Sequence, residues 1–153
     1  KILRVLHGEK YRSKFLEQMS TGMLNRMFAP NKTSADWLSR DKTEVDKYLA
    51  HKHHQFTPTL NMYRVLFTFS NLAASRKWIK KIPRSLPLLL ISAAKDPVGD
   101  FGKGVTHFYK ILRHGAFTDV TQKLYPDARH EFLNELNKNE VMRDLVAWMD
   151  DKI

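Results

Sequence analysis

The chain has 153 residues, 42% of them hydrophobic, which is enough apolar material for the core of one ordinary domain. It has no cysteine, which excludes disulfides and thiolate chemistry within the segment and points, weakly, to a reducing, cytoplasmic setting; no apolar run approaches the roughly 20 residues that cross a bilayer as a helix. Lysine and arginine number 26 against 16 acidic residues, a formal charge of +10 that favours anionic partners, yet only Lys77, Lys80, Lys81 and Arg84 cluster, so a solvated basic surface is the simpler reading.

The chain opens on Lys1 within an apolar-basic pattern, which is read as a cut end. Phe15, Leu16, Met19, Met23 and Leu24 recur at helical spacing, with Gly22 a mild interruption. Residues 25–34, with Pro30 and several polar residues, read as a loop. Asp41-Lys42-Thr43-Glu44 has the form of a capping box and predicts a short helix carrying Val45, Tyr48 and Leu49, ended by His51-Lys52-His53-His54. A longer helix is predicted from Thr59 to about Lys80, its wide apolar stripe implying contact on more than one side.

After Ile82-Pro83-Arg84-Ser85 the pattern becomes strand, helix, strand, helix. Leu86-Pro87-Leu88-Leu89-Leu90-Ile91 is a short apolar run of the kind buried on both faces of a parallel sheet, and it stops at Lys95-Asp96-Pro97-Val98-Gly99. A helix bearing Val105, Phe108, Tyr109 and Leu112 ends near Gly115; residues 120–125 form the second strand; and a last helix starts near Asn137 or Asn139, with Val141, Leu145, Trp148 and Met149 on one face. This is a piece of an α/β fold. Two parallel strands leave an unpaired edge, so the domain is expected to be incomplete and its sheet completed by upstream sequence or, less favoured, by a second copy of the chain.

In open parallel sheets chemistry sits beyond the carboxyl ends of the strands. Asp96 follows the first strand and His130 the second, and a carboxylate that orients an imidazole makes that imidazole a competent base. Either residue alone reads as a turn or loop residue; the pairing of their positions is what points to chemistry. Asp100 is the alternative acid, but it lies further into the loop, where it more plausibly orients the turn.

The words around these residues, residues 95–105 and Leu124-Tyr125-Pro126-Asp127-Ala128-Arg129-His130-Glu131-Phe132-Leu133-Asn134-Glu135, closely resemble the C-terminal half of bacterial α/β-hydrolases of the lysophospholipase, monoacylglycerol lipase and serine aminopeptidase group. Asp36-Trp37-Leu38-Ser39-Arg40-Asp41 and Glu44-Val45-Asp46-Lys47-Tyr48 look like that group's cap region. The resemblance implies a helical cap over residues 1–58 and the C-terminal part of the hydrolase core over 59–153. It also implies Asp96 as triad acid, His130 as triad base, no metal or organic cofactor, and an acyl-ester or lipid substrate.

The family nucleophile is a serine in a Gly-x-Ser-x-Gly elbow, and no serine of this chain has the two flanking glycines. The chain would thus supply the acid and base of a carboxylic-ester hydrolase, acting on lysophospholipids or monoacylglycerols through an acyl-enzyme, but not its nucleophile, and would be inactive by itself. His51-Lys52-His53-His54 departs from the family pattern; with no carboxylate at suitable spacing and Lys52 opposing a cation, a basic cap loop is a better account than a metal site. Phe15, Met19, Met23 and Met27 are candidates to receive an acyl chain or simply to pack. The competing class is a non-enzymatic basic α/β module that binds nucleic acid or an anionic surface; it explains the charge but leaves the Asp96 and His130 contexts as coincidence, so no nucleic-acid partner is expected.

Overall fold

The computed structural model describes residues 2–54, 56–75 and 77–152. After a short helix α1 (Ile2–His7), Ser13 starts α2 (Lys14–Glu17) by accepting the Leu16 N–H on its hydroxyl at 3.3 Å. The backbone widens into a π-type turn over Gln18–Gly22 before α3 (Met23–Arg26), so the interruption read at Gly22 begins four residues earlier. There the Ser20 hydroxyl donates to the carbonyl of Leu16 at 2.9 Å, a local bond that competes with the helical ladder. Asn25, read as a loop residue, belongs to α3 and is buried.

Helix α4 (Lys42–Ala50) starts at Asp41, but only half of the expected capping box forms. The Asp41 carboxylate accepts the Thr43 N–H at 2.9 Å, while the Asp41 N–H is taken by the Ser39 hydroxyl. Glu44 is thereby freed to pair with Lys47 and Lys138, at 3.1 and 3.3 Å. Helix α5 is shorter than predicted, Leu60–Ala74: Ser75 leaves the helical region at ψ 125°, residue 76 lies outside the described residues, and a single 3-10 turn, Ile79–Lys81, follows.

Strands β1 (Leu88–Ala93) and β2 (Val120–Tyr125) run parallel, in register from Leu88 opposite Val120 to Ala93 opposite Tyr125, and α6 (Lys103–His114) makes the crossover between them. Side chains alternate across the sheet. Leu88, Leu90 and Val120 pack with Ile79, Leu112 and Phe117 on the α6 side; Ile91, Ala93 and Tyr125 pack with Val141 and Leu145 of α7 (Lys138–Asp150) on the other. Helices therefore flank both faces, as the unbroken apolar run requires.

Burial on both faces was expected for Leu88 to Ile91, but despite the helices on either side all four are only half-buried, and within β1 only Ser92 and Ala93 are enclosed. Among the described residues β1 has one neighbouring strand, and its other edge borders an open depression of about 350 Å³ lined by Leu89, Leu90, Ile91, Gly99, Gly104, Val105 and Phe108. A third apolar cluster, Ala35, Trp37, Leu38 and Val45 with Leu24, Phe28, Tyr48 and Leu49, lies in the N-terminal segment. No helix among the described residues is long and apolar enough to cross a membrane.

Candidate active site

The strand ends determine which loops meet. Pairing continues past β1, with the Ala94 N–H donating to the Tyr125 carbonyl at 2.9 Å and the Lys95 N–H to the Ala128 carbonyl at 3.0 Å, so Asp96 emerges beside residues 128–130. Asp96 then turns sharply: its carbonyl accepts the Phe101 N–H at 2.8 Å, and its Oδ1 accepts the Val98 N–H at 2.9 Å. The same Oδ1 lies 3.0 Å from His130 Nδ1. A carboxylate offers only acceptors, so Nδ1 carries the hydrogen and Nε2 keeps its lone pair, the tautomer a base needs.

Asp96 is buried, whereas the His130 side chain stays partly exposed to solvent. The hydrogen bond that His130 donates to Asp96 raises the His130 pKa above its ordinary value; burial opposes this, and the charges of Asp96 and Glu131 add to it. Asp100 stands elsewhere. It occupies the left-handed region at φ 49°, its side chain is exposed, and its carboxylate faces Lys103 at 3.7 Å. His51, His53 and His54 lie on an exposed loop, His54 stacked on Tyr48 of α4 and His51 tilted against both of the other two rings, and among the described residues no group of three or more histidine and carboxylate side chains is arranged to hold a metal ion.

His130 is held from the N-terminal segment as well. Its N–H donates to the Trp37 carbonyl at 3.4 Å, the next N–H, of Glu131, donates to the Leu38 carbonyl at 2.8 Å, and the imidazole lies against the Trp37 indole, ring centroids 4.9 Å apart. Trp37 is itself fixed by Asn25, whose Oδ1 accepts the Trp37 N–H at 3.0 Å and whose amide donates to the Thr33 carbonyl at 2.8 Å. Arg129 spans the same seam, its guanidinium bonded to the Asp36 carbonyl and stacked 4.4 Å from the Phe28 ring. Reasoning from residue chemistry missed Trp37 and Asn25, because neither is a titratable or nucleophilic group; the only signal was the family-like wording of residues 36–41.

The sequence pattern described as "Serine aminopeptidase, S33" matches residues 5–137. The chain belongs to this family of hydrolases. Two solved structures share the fold of this S33-family chain: a highly thermostable carboxyl esterase from Bacillus coagulans, in complex with glycerol, with TM-score 0.78 and 24% identity, and a lipase in an open form, with TM-score 0.81 and 22% identity. Each match covers 98% of this chain but 49% of the other, so the chain spans about half the length of the solved structures it resembles. No curated protein matches the sequence significantly. The fold of this S33-family chain is therefore α/β-hydrolase-like, as the resemblance of the segments around Asp96 and His130 had implied.

Proposed function

We propose that this chain carries the acid and base of a serine hydrolase that cleaves carboxylic esters through an acyl-enzyme. The observation that carries the reading is the 3.0 Å contact between Nδ1 of the partly exposed His130 and the buried Asp96. In the reaction, His130 Nε2 takes the proton of a serine hydroxyl as its oxygen bonds to the ester carbonyl carbon. The imidazolium, steadied by Asp96, then gives that proton to the departing alcohol as the tetrahedral intermediate collapses. Water repeats the cycle: Nε2 removes its proton, the oxygen attacks the acyl carbon, and the proton returns to serine. The nucleophile and the oxyanion-binding N–H groups come from sequence outside residues 1–153, which also pairs with the open edge of β1.

The substrate class proposed is a lipid ester, a lysophospholipid or a monoacylglycerol. Phe15, Met19, Met23 and Met27 recur along the α2–α3 run and are exposed rather than packed, which supports an acyl-binding role; flexible thioethers adapt well to a hydrocarbon chain. The test is hydrolysis by the intact protein of a monoacylglycerol, a lysophospholipid, a short aryl ester and an aminoacyl peptide. Turnover of the lipid esters, covalent labelling by a fluorophosphonate and loss of turnover in His130→Ala are expected. Cleavage of the peptide alone would replace the ester reading with an aminopeptidase, and activity that survives His130→Ala would remove the triad assignment.

A further inference from the structure

Glu135 lies between a 3-10 turn, Phe132–Asn134, and α7, has no exposed surface, and takes no part in the proton transfers above. Its carboxylate accepts four hydrogen bonds. Oε1 takes the backbone N–H of Arg40 at 3.0 Å and the backbone N–H of Arg129 at 2.9 Å; Oε2 takes Arg40 Nε at 2.9 Å and the Leu136 N–H at 3.1 Å. A charge this deeply buried is retained only where it is fully paired, and removing it would strand three backbone N–H groups, those of Arg40, Arg129 and Leu136.

The arrangement at Oε1 is the informative one. A single oxygen ties residue 40 of the N-terminal segment to residue 129, the neighbour of His130. From that knot the two segments run side by side: Glu131 N–H to the Leu38 carbonyl, His130 N–H to the Trp37 carbonyl, and the Ser39 hydroxyl to the Asn134 carbonyl at 2.9 Å. The distance of the imidazole from Asp96 is set on one side by the β1 exit and on the other by this seam.

We infer that Glu135 is a positioning residue for His130, holding the imidazole at Asp96 by pinning the Arg40 and Arg129 backbones to one carboxylate oxygen. The inference rests on the triad reading of the preceding subsection. It separates Glu135 from a carboxylate that merely stabilises the fold, because its effect must pass through the His130 ring.

The experiment uses the intact protein and two readouts, steady-state kinetics and the His130 titration followed by NMR of the imidazole nitrogens. Glu135→Ala is expected to lower kcat by about 100-fold, the cost of a misplacement near 1 Å, with little change in KM, and to bring the His130 titration down toward the value of a free imidazole. Glu135→Gln can keep an oxygen on the two backbone N–H groups and is expected to recover most of both losses. Arg40→Met removes the Nε bond but leaves Oε1 in place, and the His130 titration should not move. In an Asp96→Asn background, Glu135→Ala should add little, since both act on one ring. Wild-type kcat and His130 titration in a folded Glu135→Ala, with only a lower Tm, would overturn the inference, as would Arg40→Met shifting His130 as far as Glu135→Ala does. Should Glu135→Ala not fold, the Gln and Met variants carry the test: a His130 titration lost in Glu135→Gln overturns the shared-oxygen account. If His130→Ala is fully active the triad reading fails instead, and the NMR arm still decides whether Glu135 places the ring.

Discussion

Trp37 meets His130 twice, through a carbonyl that accepts the His130 N–H at 3.4 Å and through an indole tilted 33° to the imidazole at 4.9 Å. The backbone bond sets where the residue lies; the ring contact limits how the imidazole turns. Truncation of the indole leaves the first and removes the second. Trp37→Ala in the intact protein is therefore expected to reduce kcat by about 10- to 100-fold with KM nearly unchanged, and Trp37→Phe to fall between, as read from kcat per fluorophosphonate-titrated site. An unaltered kcat in Trp37→Ala would show that the backbone bond alone suffices.

The pH dependence follows from the direction of the His130 shift. The hydrogen bond to Asp96 is its main cause, so the folded protein holds the imidazolium more tightly than the unfolded chain does. The associated stabilisation is fully present below the unfolded histidine pKa of about 6.5 and is lost as pH rises through the higher folded value. Activity runs the other way, since the base must be neutral: the acid limb of the kcat/KM profile is expected above pH ~6.5. Asp96→Asn should move that limb to lower pH while lowering its plateau, and a limb that stays in place would dissociate Asp96 from the titration.

Two aspartates four residues apart differ in consequence because only one faces the ring. Asp96→Asn is expected to reduce kcat by on the order of 10⁴-fold, the scale seen when a triad acid loses its charge and the imidazole its tautomer. Asp100→Asn removes an exposed pairing with Lys103 at 3.7 Å, worth about 0–1 kcal/mol, and should leave kcat within about twofold. A large loss in Asp100→Asn would reverse the assignment of the acid.

The loop after Asp96 depends on Gly102, which has φ 81° and abuts β2. A Cβ there would stand 3.0 Å from Leu124 Cδ1 and would force an L-residue into the left-handed region. Gly102→Ala is expected to destabilise the protein by ~1–2 kcal/mol, measured by urea denaturation, with a smaller effect on the His130 titration than on stability. A neutral result would mean that Leu124 yields and that the backbone relaxes.

Packing of the core gives an independent check on the sheet. Leu112 of α6 is buried among Ile79, Phe117 and the β1 side chains Leu88 and Leu90. Leu112→Ala should lower unfolding stability by about 2–5 kcal/mol without moving the acid limb of the activity profile. A loss under 1 kcal/mol would place Leu112 outside the cooperative core.

By itself the sequence determined the local elements and their order. The apolar run ending at Asp96, the strand before His130 and the 3.6-residue periodicity of α6 and α7 are properties of neighbouring residues, and together they dictate a parallel strand-helix-strand unit with loops meeting at one end. That was enough to bring Asp96 and His130 to the same rim. Tertiary structure decided what periodicity cannot encode. Oε1 of Glu135 joins residues 40 and 129, Trp37 lies under an imidazole 93 positions later, and Asp41 is capped by Ser39 rather than by the Glu44 that its motif promised. Such partners are chosen by which buried donors remain unsatisfied once the segments pack, a condition set across the whole fold and written in no single stretch of the chain.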